Sequence, residues 1–225
     1  MRFAFFFGFL YYLISGTKTL AGYETNQAIF FFLTFNLIDV LSQFLYREVY
    51  RFRPLVVSGD FDLVLLKPFN ALFRVLMGGA DVIDLITIPP LIFAALYIGR
   101  LLNPSLTHVL LFIILILNGL IIATAFHIAV LAFGIMSLEI DHTIMIYRDI
   151  LSLGRFPLDI YKEPVRSIIT YLIPVGVMIT LPAKSLMGLV SLEGILYSFL
   201  LGALSIILSL KFWGWAIKRY TSASS

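Results

Sequence analysis

From Leu106 to Gly134 the chain runs without a single Asp, Glu, Lys or Arg. A helix needs roughly 20 predominantly apolar residues to cross a bilayer, so this run can cross with tilt or project past the lipid. Further apolar runs cover Phe3 to Ile14, Ala28 to Tyr46, Val82 to Ile98, Val165 to Pro182 and Leu192 to Ala216. Thr143 to Leu153 is weaker and carries Arg148 and Asp149. A chain built this way folds as an all-α, polytopic membrane helical bundle. An outer-membrane barrel would need many ~10-residue segments of alternating pattern, and those are absent.

Composition agrees. Charged residues are 13% and hydrophobic residues 60% of the 225, with a mean hydropathy of +1.00, whereas soluble domains carry about 25% charge. There is no cysteine, which excludes a disulfide framework and thiolate metal sites. Nearly every residue is committed to spans and short loops, so residues 1–225 read as one membrane domain with no room for a soluble catalytic domain.

The reading predicts six crossings. The first run is short, and reads as a shortened first span with a cleaved signal peptide as the competing interpretation. Two assignments compete for the fifth crossing. Either Val165–Pro182 spans, or the weaker 143–156 stretch spans and 163–185 dips back as a re-entrant element broken by Pro174, Gly176 and Pro182. Irregular backbone at membrane depth requires burial in protein or a cavity. Pro89-Pro90 is expected to interrupt the third run.

Basic residues in short loops set orientation. Arg47, Arg51, Arg53, Lys67 and Arg74 lie between the second and third runs, and Lys211, Lys218 and Arg219 near the C-terminus. The loops at 15–27 and 99–105 hold only Lys18 and Arg100. Both termini and the 47–74 segment are therefore expected in the cytoplasm. The re-entrant alternative leaves Arg155, Lys162, Arg166 and Lys184 on the other side, which counts against it.

No Walker-type P-loop occurs, and His108, His127 and His142 are too scattered for a metal site. No catalytic residue and no metal ligand set is expected, and nothing suggests nucleic-acid binding. Within the spans, Asp39 with Asn36 and Gln43, and His127 with Asn118, are candidates for a transport pathway or for polar packing between helices. Asp81 and Asp84 suit a helix N-terminus. Gly194, Ser198 and Gly202 form a small-residue stripe that permits close helix packing, internal or between subunits. Trp213 and Trp215 are expected as interface anchors beside Lys211 and Lys218.

The segment "SGDFDLVLLKPFN", Ser58 to Asn70, stands apart. Asp60 and Asp62 fit the first turn of a short helix, and Pro68 would end it. The product is an amphipathic stub along the cytoplasmic face, resting on lipid or docking a partner.

This segment, extended to "ALF", resembles the "G-x-[LF]-D-x-x-L-L-[RK]-P-x-N" pattern of a bacterial family of type-2 ABC transporter permeases. So do "LGRFPLDIYKEPVRSIITYLIPVGVMITLPAKSLMG", residues 153–188, and the ending "KFWGWAIKRYTSASS". The resemblance is read from about residue 28 to the C-terminus. It implies a six-span exporter permease of the inner membrane, without its own ATPase, paired with itself or a sister permease. Separate cytoplasmic ATPase subunits would bind ATP and Mg, leaving this chain without a cofactor. Ser58–Asn70 would be the coupling helix, with Gly59, Asp60, Asp62, Lys67, Pro68 and Asn70 on the family pattern. The resemblance also favours the re-entrant assignment of 163–185. Family members usually begin with a cytoplasmic helix and a full first span, which this chain does not match. A proton-coupled carrier using Asp39 or His127, and a non-transporting assembly subunit, are the competing functions; the carrier predicts inverted repeats, and no convincing one is present.

Overall fold

The computed structural model describes Gly8, Tyr12, residues 19–137 and residues 140–221. The shortened first span and its signal-peptide alternative lie outside the described residues, save Gly8 and Tyr12. Among the described residues the fold is helical, with no strand beyond one isolated bridge between Leu20 and Tyr23.

Helix α1 is Thr25–Leu45, followed by a 3-10 segment Arg47–Arg51. Three short helices follow: α2 Phe52–Val57, α3 Asp60–Leu66 and α4 Ala71–Met77. Then come α5 Val82–Leu101, α6 Leu106–Ser137 and α7 Ile140–Ser152. A bent pair, α8 Val165–Leu172 and α9 Val175–Leu186, precedes the last helix, α10 Leu192–Ile217. Helices α1, α5, α6 and α10 are long and apolar enough to cross a membrane, and the bent pair would raise the number to five if taken as one span.

Helix α6 is the hub. It packs against α10 and α9, while α5 packs along α1. Small residues set these distances. A Cβ on Gly119 would stand 2.7 Å from the Met178 carbonyl oxygen of α9, and one on Gly202 would stand 2.2 Å from Asn118 Oδ1. The α6–α7 corner is similarly tight, since a Cβ on Gly134 would meet Ile140 Cγ1 at 2.2 Å.

Pro89 and Pro90 do not interrupt α5, which runs on from Val82 to Leu101 with both prolines inside. Prolines are tolerated in apolar spans where neighbouring groups accommodate the freed carbonyls. Asp81 caps this helix, its Oδ1 accepting from the Ile83 amide at 2.9 Å.

Polar contacts mark two ends of the bundle. At one end Arg47 pairs with Asp81 at 2.6 Å, Arg74 with Glu48 at 2.8 Å and Arg53 with Asp141 at 3.8 Å. At the other, Asp159 accepts from Tyr23 Oη at 2.8 Å and pairs with Lys184 and Arg166 at 2.7 Å each. The chain thus travels from Asp141 at the basic end to Asp159 at the opposite end, through α7 and the 3-10 turns Leu153–Arg155 and Leu158–Ile160. Arg166 starts the bent pair and Lys184 finishes it, yet both reach the same carboxylate. The two ends of the pair therefore share one carboxylate, and the pair bends by 91° at its break. The break expected at Pro174 and Gly176 falls at Ile173-Pro174, and hydropathy, which counts apolar residues, does not register the angle between the two helices.

Candidate functional site

The segment Ser58–Asn70 lies at the basic end. Gly59 adopts φ 81°, a left-handed conformation that separates α2 from α3. Only glycine takes it readily, because a Cβ there crowds the following carbonyl. Ser58 Oγ donates to Asp60 Oδ2 at 2.7 Å, tying the turn. Asp60 and Asp62 occupy the first turn of α3, where negative charge opposes the positive end of the helix dipole. The helix stops at Leu66, before the extended Lys67 that Pro68 requires. Asn70 then caps α4, its Oδ1 accepting from the Phe73 amide at 3.1 Å.

Helix α3 has two unlike faces. Phe61 is fully buried and Val64 is buried. The Phe61 ring meets Phe52 edge-on at 5.1 Å and Tyr220 at 5.2 Å, with Trp213 at 6.4 Å. This cage joins the stub to α2 and to the end of α10. Burial and the neighbouring Asp62 carboxylate push the Tyr220 phenol up to about 12. The opposite face is open: Leu63 is 58% and Leu66 81% exposed, and Phe69 and Phe73 are exposed nearby. Lys67 lies beside this apolar patch, 6.0 Å from the Phe69 ring.

The motif residues thus divide by what they touch. Gly59, Pro68 and Asn70 shape the backbone. Asp60 ties the turn, Asp62 lies by Tyr220, and Lys67 is exposed. Phe61 is the anchor that the polar motif concealed, although its spacing from Val64, three positions on, puts both on one helical face.

The remaining candidates lie elsewhere. Asp39 accepts from Gln43 Nε2 at 2.9 Å and faces the Arg148 side of α7. Asn36 donates to the Phe32 carbonyl of its own helix. His127 is buried, its Nδ1 facing the Ala123 carbonyl at 2.8 Å, with its ring against Tyr46 and Tyr147. Its polar contact is thus within α6 rather than between helices, because aromatic rings close off its other side. Asn118 does bridge helices, donating to Ser198 O at 2.9 Å and Ser198 Oγ at 2.8 Å. Ser198 and Gly202 face α6, whereas Gly194 sits near Ser191 and Val190 at the start of α10. Trp213 is buried in the Phe61 cage rather than anchoring at a surface, while Trp215 is exposed under Arg219 at 4.1 Å. Among the described residues no cluster of His, Asp and Glu could hold a metal ion.

The left-handed Gly59, the short acidic helix, the Lys-Pro stop and the Asn70 cap are the structural content of the segment that resembles a permease pattern. A family model described as ABC-2 family transporter protein matches residues 1–224, reaching the residues ahead of 28. No curated protein and no solved structure matches the chain. With a match along nearly its whole length and helices apolar enough to span a membrane, the chain belongs to the ABC-2 family of transporter membrane proteins.

Proposed function

We propose that this chain is the membrane-spanning permease of an ATP-driven exporter, with Ser58–Asn70 as the docking element for a separate ATPase. The observation that carries the reading is the two-faced α3: Phe61 is locked into the bundle while Leu63 and Leu66 are exposed on its other face. A helix that is clamped on one side and apolar on the other suits a groove in a partner. Lys67 and the acidic first turn supply a charged rim, which favours orientation and specificity.

Family membership supports a partner that binds ATP and Mg, since this sequence has no P-loop of its own. It also supports pairing with a second permease, self or sister. The basic end, with Arg47, Arg51, Arg53, Arg74, Lys211, Lys218 and Arg219, is the cytoplasmic end by the positive-inside rule. In this scheme α7 and its 3-10 turns cross the membrane beside α1, α5, α6 and α10, and α8–α9 re-enters from the outer face. The C-terminus is then cytoplasmic and the membrane is the bacterial inner membrane. In this topology the outward cations Arg166 and Lys184 share the Asp159 carboxylate.

Asp39 and His127 serve as polar packing groups in this reading, because the Gln43 and Ala123 contacts are made within their own helices. The test is a double variant, Asp60→Lys with Leu66→Asp, purified with the ATPase. Loss of copurification and of substrate-stimulated ATP hydrolysis, with an intact bundle, is expected. Full retention of both would sink the proposal.

A further inference from the structure

Helices α5 and α6 are joined by only four residues, Leu102–Ser105, yet they diverge. Helix α5 follows α1 and α6 follows α9 and α10. The wedge between them is a cavity of about 640 Å³, within the range of small-molecule sites. Its walls are apolar: Leu96 of α5, Phe112 and Ile113 of α6, Phe30 and Leu37 of α1, and Leu186 of α9. At its outward end stand two polar side chains, Arg100 and Asn103. Arg100 is exposed, and among the described residues no carboxylate pairs with it. Arg166 and Lys184, at the same end of the bundle, are by contrast committed to Asp159.

We infer that this wedge binds an anionic phospholipid, with one acyl chain between α5 and α6 and the phosphate on the Arg100 guanidinium and Asn103 amide. The apolar walls open along the spans, so an occupant must be greasy along its length. An isolated guanidinium at headgroup level selects for negative charge, and its planar fork suits phosphate oxygens. Gly99 lets Phe30 and Leu186 close the inner wall of the wedge, since a Cβ there would lie 3.1 Å from Phe30 and 3.2 Å from Leu186. The charge of Arg100 and the apolar shape of the wedge thus call for the same molecule.

The test is native mass spectrometry of the full chain released from nanodiscs containing phosphatidylglycerol and phosphatidylcholine in equal amounts. Wild type is expected to retain phosphatidylglycerol about tenfold over phosphatidylcholine, the size of one charge-assisted hydrogen bond. Arg100→Gln removes that preference and Arg100→Lys keeps most of it. Ile113→Trp, which fills the wedge from an exposed position, lowers retention of both lipids. Equal retention by wild type and Arg100→Gln would overturn the site. Displacement of the lipid by inorganic phosphate alone would show a free-anion site instead, and overturn it too. A change in oligomeric state with Ile113→Trp, at unaltered lipid retention, would reassign the face to a second copy of the chain and likewise refute the proposal.

Discussion

The Phe61 ring stands edge-on to Tyr220, with centroids 5.2 Å apart and planes at 81°. A residue of the short helix α3 and a residue just past α10 therefore share one aromatic cage with Phe52 and Trp213. Any force on α3 reaches α10 directly through this contact. Phe61→Ala removes a fully buried ring, and a loss of about 3–5 kcal/mol is expected. Denaturant or thermal melts in detergent check the magnitude. In a coupled complex, basal ATP hydrolysis should survive while its stimulation by substrate falls, because the partner's surface contacts are intact but their mechanical link is cut. Phe61→Leu, which keeps an apolar anchor, should retain more coupling.

Gly59→Ala forces a Cβ into a backbone at φ 81°. The expected cost is about 1–2 kcal/mol. Because the strain is confined to the α2–α3 turn, proteolysis near residues 55–70 should accelerate while the bundle's melting temperature changes little. A uniform loss of stability would contradict the local assignment.

The Asp159 clamp is expected to respond to pH. Burial alone raises the Asp159 carboxyl, but hydrogen bonds from Lys184 and Tyr23 and the charge of Arg166 hold it below its ordinary value of 3.8. A depressed carboxyl adds stability that is fully present above the unfolded value and is lost as pH falls through the folded one. The α8–α9 pair should thus stay clamped at neutral pH and loosen only below about pH 4. Asp159→Asn keeps the shape but lowers stability at neutral pH by about 1–3 kcal/mol, and abolishes this acid dependence. Hydrogen exchange of residues 165–186 as a function of pH reads both effects.

At the α6–α10 crossing, packing should outweigh hydrogen bonding. Ser198→Ala removes one of two acceptors for Asn118, and interhelical bonds in membranes average about 0.6 kcal/mol. Gly202→Val instead drives a side chain into Asn118, whose Oδ1 would lie 2.2 Å from the new Cβ. Overpacking of this kind costs about 1–3 kcal/mol. Steric-trap unfolding or melts of the two variants should rank them in that order.

The apolar runs, Asp81 at a helix start, Gly59 at a break, Pro68 at a stop and Asp60 with Asp62 in a first turn were legible from residue order. Each depends on neighbours within a few positions, through helix period, backbone sterics or the helix dipole. The Phe61 cage, the Asn118–Ser198 bridge, the sharing of Asp159 by both ends of the bent pair and the wedge under Arg100 were not legible. Their partners lie far apart along the chain: Tyr23 and Asp159 are 136 positions apart, Asn118 and Ser198 are 80 apart. In hydrocarbon every long apolar run satisfies its own backbone as a helix, so hydropathy identifies spans and says little of what each one touches. Tertiary structure decided which distant residues meet, because one carboxylate, Asp159, draws Tyr23, Arg166 and Lys184 to the same end.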